Sequence, residues 1–163
     1  VINPTPTIIP PPPDPEPPPP GPNADTFRTA EYNLSYALEA VNAAEAYALG
    51  YTGQGQIIGI VDFNFVFNSP EVDYHGASVG LNQGFVDLYE AQIGEAATTN
   101  THGHAVAATA AAIKNDSEIH GVAFDAQILA VDFFSGVNIT QELFGGILYH
   151  ISNPWTYLMD RGV

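Results

Sequence analysis

The stretch Asn100 to Phe134, NTHGHAVAATAAAIKNDSEIHGVAFDAQILAVDFF, decides the fold. HAVAATAAAI, residues 104–113, predicts a helix by propensity. With almost no large side chains, such a helix can lie close against neighbouring backbone, as a central buried helix does. AQILAVDFF, residues 126–134, is apolar at nearly successive positions, which predicts a strand covered on both faces, as in a parallel sheet. Upstream, QIIGIVD at 56–62 has the same character and ends in a carboxylate. Asp62 is therefore expected at the carboxyl end of its strand, the edge where open α/β sheets place their ligands. The two apolar runs are expected to be adjacent or near-adjacent parallel strands of one sheet.

Further out, NAAEAYALGYTGQG at 42–55 predicts a helix over Asn42 to Leu49, stopped by Gly50 and followed by a glycine-rich turn. Residues 65–100 mix turn signals with short apolar pairs and read as loops, with one short strand at most. TQELFGGILYHI at 140–151 reads as a helix weakened by Gly145 and Gly146, and WTYLMDRG at 155–162 as closing helical turns. Helix, strand, loops, helix, strand, helix is the order of a doubly wound α/β domain, a mostly parallel sheet with helices on both faces. Before it, twelve of the fourteen prolines fall within residues 1–22. Repeated proline fixes φ and removes donors, so residues 1–26 are expected to be an extended linker and 27–163 the packed part.

Composition narrows the partners. Of 163 residues, 45% are apolar, enough for one core, and three Lys plus Arg stand against eighteen Asp plus Glu for a net charge of -15. A surface of that sign repels phosphate backbones and anionic lipid heads, so neither nucleic acid nor a membrane surface is expected as partner. The charge suits a secreted or cell-surface protein, or one that holds calcium through carboxylates. With no cysteine, thiolate nucleophiles and Cys-ligated zinc are excluded. No apolar run reaches the roughly 18 residues of a membrane-spanning helix. The chemistry centres on Asp62 and His102. A carboxylate at a strand end and an imidazole at a helix start can face each other, the carboxylate holding one tautomer so that the other ring nitrogen serves as a base. The two side chains are expected within hydrogen-bond reach or about one side-chain rotation of it.

These residues resemble the subtilisin-like serine peptidases, the subtilases. GYTGQGQIIGIVD is similar to that family's approach to its catalytic Asp, THGHAVAATAAA to its H-G-T-H-V-A-G helix start, and HGVAFDAQILAVDFF to its G-V-A-P-x-A-x-I-x-x-V-K-V segment. The stretch FRTAEYNLSYALEAVNAAEAYALG after a proline-rich linker is similar to the entry of the autotransporter-type branch on Gram-negative bacteria. The resemblance implies a subtilisin-like fold truncated on its C-terminal side and a serine-type endopeptidase. In it Asp62 orients His102, His102 is general base and then acid, and Gly103 lets the helix start approach the substrate. It also implies that Phe133, Phe134, Ser135 and Gly136 line the substrate strand, where an extended peptide adds as a β-strand. The partner is then a peptide or protein; no cofactor is required, structural calcium is allowed with no ligands singled out, and oligomeric state is left open.

This sequence departs from the family pattern at several positions. Phe63 and Asn64 stand where Ser or Thr and then Gly follow the Asp, Ala105 replaces a His, His104 a Thr and Phe124 a Pro. The nucleophile motif, G-T-S-x-A or similar, belongs after a strand that would follow Val163, so this chain carries the Asp and His without the Ser and is expected to be inactive alone. A non-catalytic relative that keeps the fold for binding is the alternative those replacements permit. A metal site from His102, His104, His75 and a carboxylate is a third, disfavoured because His-x-His at a helix start does not bring both rings to one face.

Overall fold

The computed structural model describes residues 23–94, 96, 100–135, 140–144, 146–150 and 154–163; residues 1–22 of the linker read over 1–26, and the substrate reading of Gly136, lie outside them, while 24–26 belong to a 3-10 turn. Two 3-10 turns, Ala24–Phe27 and Tyr32–Leu34, lead into α1, Tyr36–Ala40, and α2, Ala43–Ala48. Then come β1, Ile57–Asp62; α3, Gln83–Ile93; α4, His102–Ala111; β2, Gln127–Asp132; β3, Thr140–Phe144; β4, Gly146–His150; and α5, Pro154–Met159.

β1 and β2 pair in parallel, in register from Ile57 with Gln127 to Asp62 with Asp132. The far edge of β2 is not bare. Tyr74 bridges to Ile128 and Val79 to Val131, both parallel, and the Ser78 hydroxyl donates to the Ile128 carbonyl at 3.2 Å and accepts from the Ala130 N–H at 3.0 Å. The alternation of a strand then sorts the apolar residues by face. Ile58, Ile60, Ile128 and Ala130 pack with Ala107 and Ala111 of α4. Val61, Leu129 and Val131 pack on the other side with Leu158 of α5. That is why both strands are apolar at nearly every position: each face has its own helix, as the sequence pattern predicts.

Alanine lets α4 come close, and Gly121 lets the chain that follows it come closer still. A Cβ at Gly121 would collide with the backbone nitrogens of Ala111 and Ala112. Tyr32, Leu38, Ala43, Ala44 and Tyr47 of the N-terminal helical segment form a second core with Phe124, on the connection between α4 and β2. The Tyr47 hydroxyl donates to the Val122 carbonyl at 2.8 Å, and the Glu31 carboxylate accepts the N–H groups of Asn115 and Asp116 at 3.2 and 3.0 Å.

Two sequence readings are corrected. Residues 140–144 and 146–150 form antiparallel strands, β3 with β4, in place of a helix. Two glycines inside a helix cost about 1 kcal/mol each relative to alanine, whereas Gly-Gly between short runs rich in Leu, Ile, Phe, Tyr and Thr is hairpin chemistry. Within residues 65–100, read as loops, lies the eleven-residue α3. Gly94 is one of the turn signals in that stretch, but at φ 73° it closes the helix from outside, its N–H donating to the Glu90 carbonyl at 2.9 Å. Gln83 to Asp87, at 2.8 Å, is a stabilising i, i+4 side-chain bond near its start.

Candidate active site

Both parallel strands end in Val-Asp-Phe, and their register sets Asp62 and Asp132 side by side at the carboxyl edge. Asp62 is mostly buried, and its Oδ1 accepts the Phe63 N–H at 2.7 Å, so the carboxylate is aimed by the turn that follows it. α4 begins at His102, two residues earlier than propensity alone places it, with the His102 N–H donating to Asn100 Oδ1 at 3.2 Å. Across the gap, His102 Nδ1 lies 2.8 Å from Asp62 Oδ1 and 2.9 Å from Oδ2. An ionised carboxylate only accepts, so the neutral imidazole carries its proton on Nδ1 and turns the Nε2 lone pair outward. The His102 side chain is 63% exposed, which leaves that nitrogen open to an incoming group.

Gly103 packs closely against the turn that follows Asp62. Its N–H donates to the Phe63 carbonyl at 2.7 Å, and a Cβ there would lie 2.7 Å from that same oxygen, 2.9 Å from the Phe65 ring and 3.1 Å from Asp62 Cβ. The close approach is therefore to the Asp62 turn. Gly103→Ala is expected to push the start of α4 off that turn, lowering stability by about 1–3 kcal/mol through overpacking. Chemical denaturation checks it: the midpoint should fall with the slope unchanged, and an unshifted midpoint would contradict the packing.

Asp132 is a site residue that sequence reasoning passed over as the continuation of a strand; the repeated Val-Asp-Phe is the signal that could have found it. It is 1% exposed, with Oδ2 accepting the Asn64 N–H at 2.7 Å and Oδ1 the Phe134 N–H at 2.8 Å. Burial pushes its pKa above the ordinary carboxylate value, and the neighbouring Asp62 charge adds to the rise, while the two N–H donors oppose it.

Of the four residues assigned to the substrate strand, Phe134 is 3% exposed and Ser135 8%. A peptide laid there would meet backbone and the half-buried Phe133, whose ring centroid lies 5.0 Å from that of Phe63. Phe63 thus brings an aromatic wall where the family carries a hydroxyl, and the Asp62 carboxylate takes a main-chain N–H from the same residue.

The other histidines whose side chains are described go separate ways. His104 Nδ1 is 2.8 Å from the Tyr74 hydroxyl, a phenol that burial pushes up to about 12. His75 Nδ1 accepts the Ala77 N–H at 3.2 Å. His120 sits in the aromatic core beside Tyr32, Tyr47 and Phe124. Among the described residues no three His, Asp or Glu side chains converge as a metal site would need, and no helix is long and apolar enough to cross a membrane.

A carboxylate closing one parallel strand, bonded to a histidine that opens the alanine-rich helix between that strand and its neighbour, defines a subtilisin-like α/β domain. The subtilase family profile matches residues 53–153, and the chain belongs to the subtilase family. Two extracellular serine proteases of Serratia marcescens are similar to it. One is 35% identical over 139 residues, covering 83% of this chain and 13% of the relative. The other is 35% identical over 134 residues, covering 80% and 12%. The chain thus spans a small part of the length of these relatives.

Proposed function

We propose that this chain carries the Asp–His part of the active site of a secreted, serine-type endopeptidase. The observation that carries the reading is the Asp62 carboxylate 2.8 and 2.9 Å from His102 Nδ1, with the opposite edge of the ring exposed. His102 Nε2 takes the proton of a serine hydroxyl as that oxygen attacks the scissile carbonyl, then returns it to the leaving amine. Asp62 holds the imidazole in the useful tautomer and stabilises the imidazolium in between. The substrate is an extended protein or peptide segment laid beside residues 133–136. This chemistry needs no cofactor, and structural calcium would be an accessory to the fold. Export to the medium or the cell surface, by an autotransporter route, fits the extracellular names of the relatives and the acidic composition.

The serine is expected from a later part of the peptidase. No described hydrogen bond links His102 to Ser69 or Ser78, which bond to the Glu71 N–H and to β2. Residues 1–163 alone are therefore expected to cleave an unstructured protein no faster than background. The active peptidase that carries this stretch is expected to be inactivated by a serine-phosphonylating reagent, one phosphorus bound per molecule. Indifference to that reagent, with loss of activity to a chelator instead, would refute a serine mechanism.

A further inference from the structure

A buried carboxylate with no cation beside it is an expensive residue, and Asp132 is one. It is 1% exposed, and none of the ion pairs among the described residues reaches it. Its backbone neighbour across the register is Asp62, another carboxylate. An apolar side chain would fill the same space without the desolvation cost. What the carboxylate alone supplies is a pair of anionic acceptors, and both are used on turns that flank the Asp62–His102 pair.

The geometry of one peptide group gives this its meaning. The Asn64 N–H and the Phe63 C=O belong to the same planar unit and, in a trans peptide, point in opposite directions. On one side the N–H donates to Asp132 Oδ2 at 2.7 Å. On the other side the C=O accepts the Gly103 N–H at 2.7 Å, next to His102 at the start of α4. The Phe63 N–H meanwhile holds Asp62 Oδ1 at 2.7 Å. Residue 63 therefore aims the carboxylate with its N–H and the histidine's helix with its C=O, and Asp132 grips the peptide unit between them. A charge-assisted bond to the N–H also polarises the unit and strengthens its carbonyl as an acceptor. Asn64 adopts φ 53°, in the left-handed region that most residues avoid, and its N–H is held there by the Asp132 carboxylate. The second oxygen of Asp132 takes the Phe134 N–H at 2.8 Å, while the Phe133 N–H donates to the Asp62 carbonyl at 2.9 Å, so the same carboxylate couples the turn after β2 to the turn after β1.

We propose that Asp132 is a positioning residue for the Asp62–His102 pair, acting through the Phe63–Asn64 peptide to set where the start of α4, and with it the imidazole, stands against Asp62. This rests on the catalytic reading of that pair, but its test does not. In the isotopically labelled chain, long-range proton–nitrogen correlations read the His102 tautomer directly. Wild type is expected to show the proton on Nδ1, and Asp132→Ala a mixture of the two tautomers with the strand amides still dispersed. In the active peptidase the same substitution is expected to lower kcat by roughly 10- to 100-fold, as a misplaced catalytic group does, with KM within about threefold. Asp132→Asn keeps one acceptor but turns its NH₂ towards the other N–H, and should recover part of the loss. An unchanged tautomer in Asp132→Ala, or a rise in KM with kcat intact, would overturn the proposal. If both variants fail to fold, couplings across the hydrogen bonds from the Asn64 and Phe134 N–H groups to the Asp132 carboxyl carbon in wild type decide instead, and their absence would overturn it. A peptidase indifferent to His102→Ala would sink the catalytic reading, while the tautomer measurement would still decide the role of Asp132.

Discussion

His102→Ala is expected to lower kcat of the active peptidase by a factor on the order of 10⁵ to 10⁶ while leaving the fold intact. The ring is 63% exposed and hydrogen-bonds Asp62, so its removal opens no cavity of consequence. On the proposed mechanism, what disappears is the acceptor for the serine proton, and with it the means of making a nucleophile at neutral pH. The loss belongs in kcat because the imidazole's charge develops only on the way to the transition state, so ground-state binding of the peptide does not draw on it. Steady-state kinetics on an extended peptide, with circular dichroism to show the helices retained, checks it. Activity within tenfold of wild type would remove His102 from the reaction.

Asp62→Asn is the second large effect, about 10⁴-fold in kcat with the geometry preserved. Asp62 Oδ1 accepts the Phe63 N–H, so the amide oxygen of an asparagine would take that place, and its NH₂ would replace the second of the two oxygens that His102 Nδ1 now faces at 2.8 and 2.9 Å. An NH₂ group there faces Nδ1 as a donor. The imidazole then relieves the clash by keeping its proton on Nε2, and in that tautomer it cannot accept one from serine. The variant should fold as wild type does, because Phe63 still finds its acceptor. Stability equal to wild type with kcat reduced is the expected pair of results, and a large fall in stability with little change in kcat would assign Asp62 a packing role instead.

What could be read from the residues followed burial. β1, β2 and α4 were legible because each is apolar or small on every side that another element covers, and Asp62 and His102 stand at the ends that this arrangement exposes. The pairing of β3 with β4 was not, since a short apolar run with glycines at its centre suits helix or strand until a partner is present. α3 was hidden by the glycines around it. Asp132 was missed for a physical reason as well. A lone carboxylate at the end of an apolar run is ordinarily solvated, and only the register of β2 against β1, with the turn of Asn64 folded over both, encloses it. The contact of Gly103 with the Phe63 carbonyl is set by tertiary docking of α4, which no local pattern encodes.

The central claim is that Asp62 and His102 act as one catalytic unit, and a double-mutant cycle on the active peptidase tests it most directly. kcat would be measured for wild type, Asp62→Asn, His102→Ala and the double variant, on one extended peptide at one pH. If Asp62 works only through His102, the double variant loses no more than His102→Ala alone, because the carboxylate has nothing left to orient. Losses that multiply, with the double variant about 10⁴-fold below His102→Ala, would show the two residues acting independently and would contradict the account.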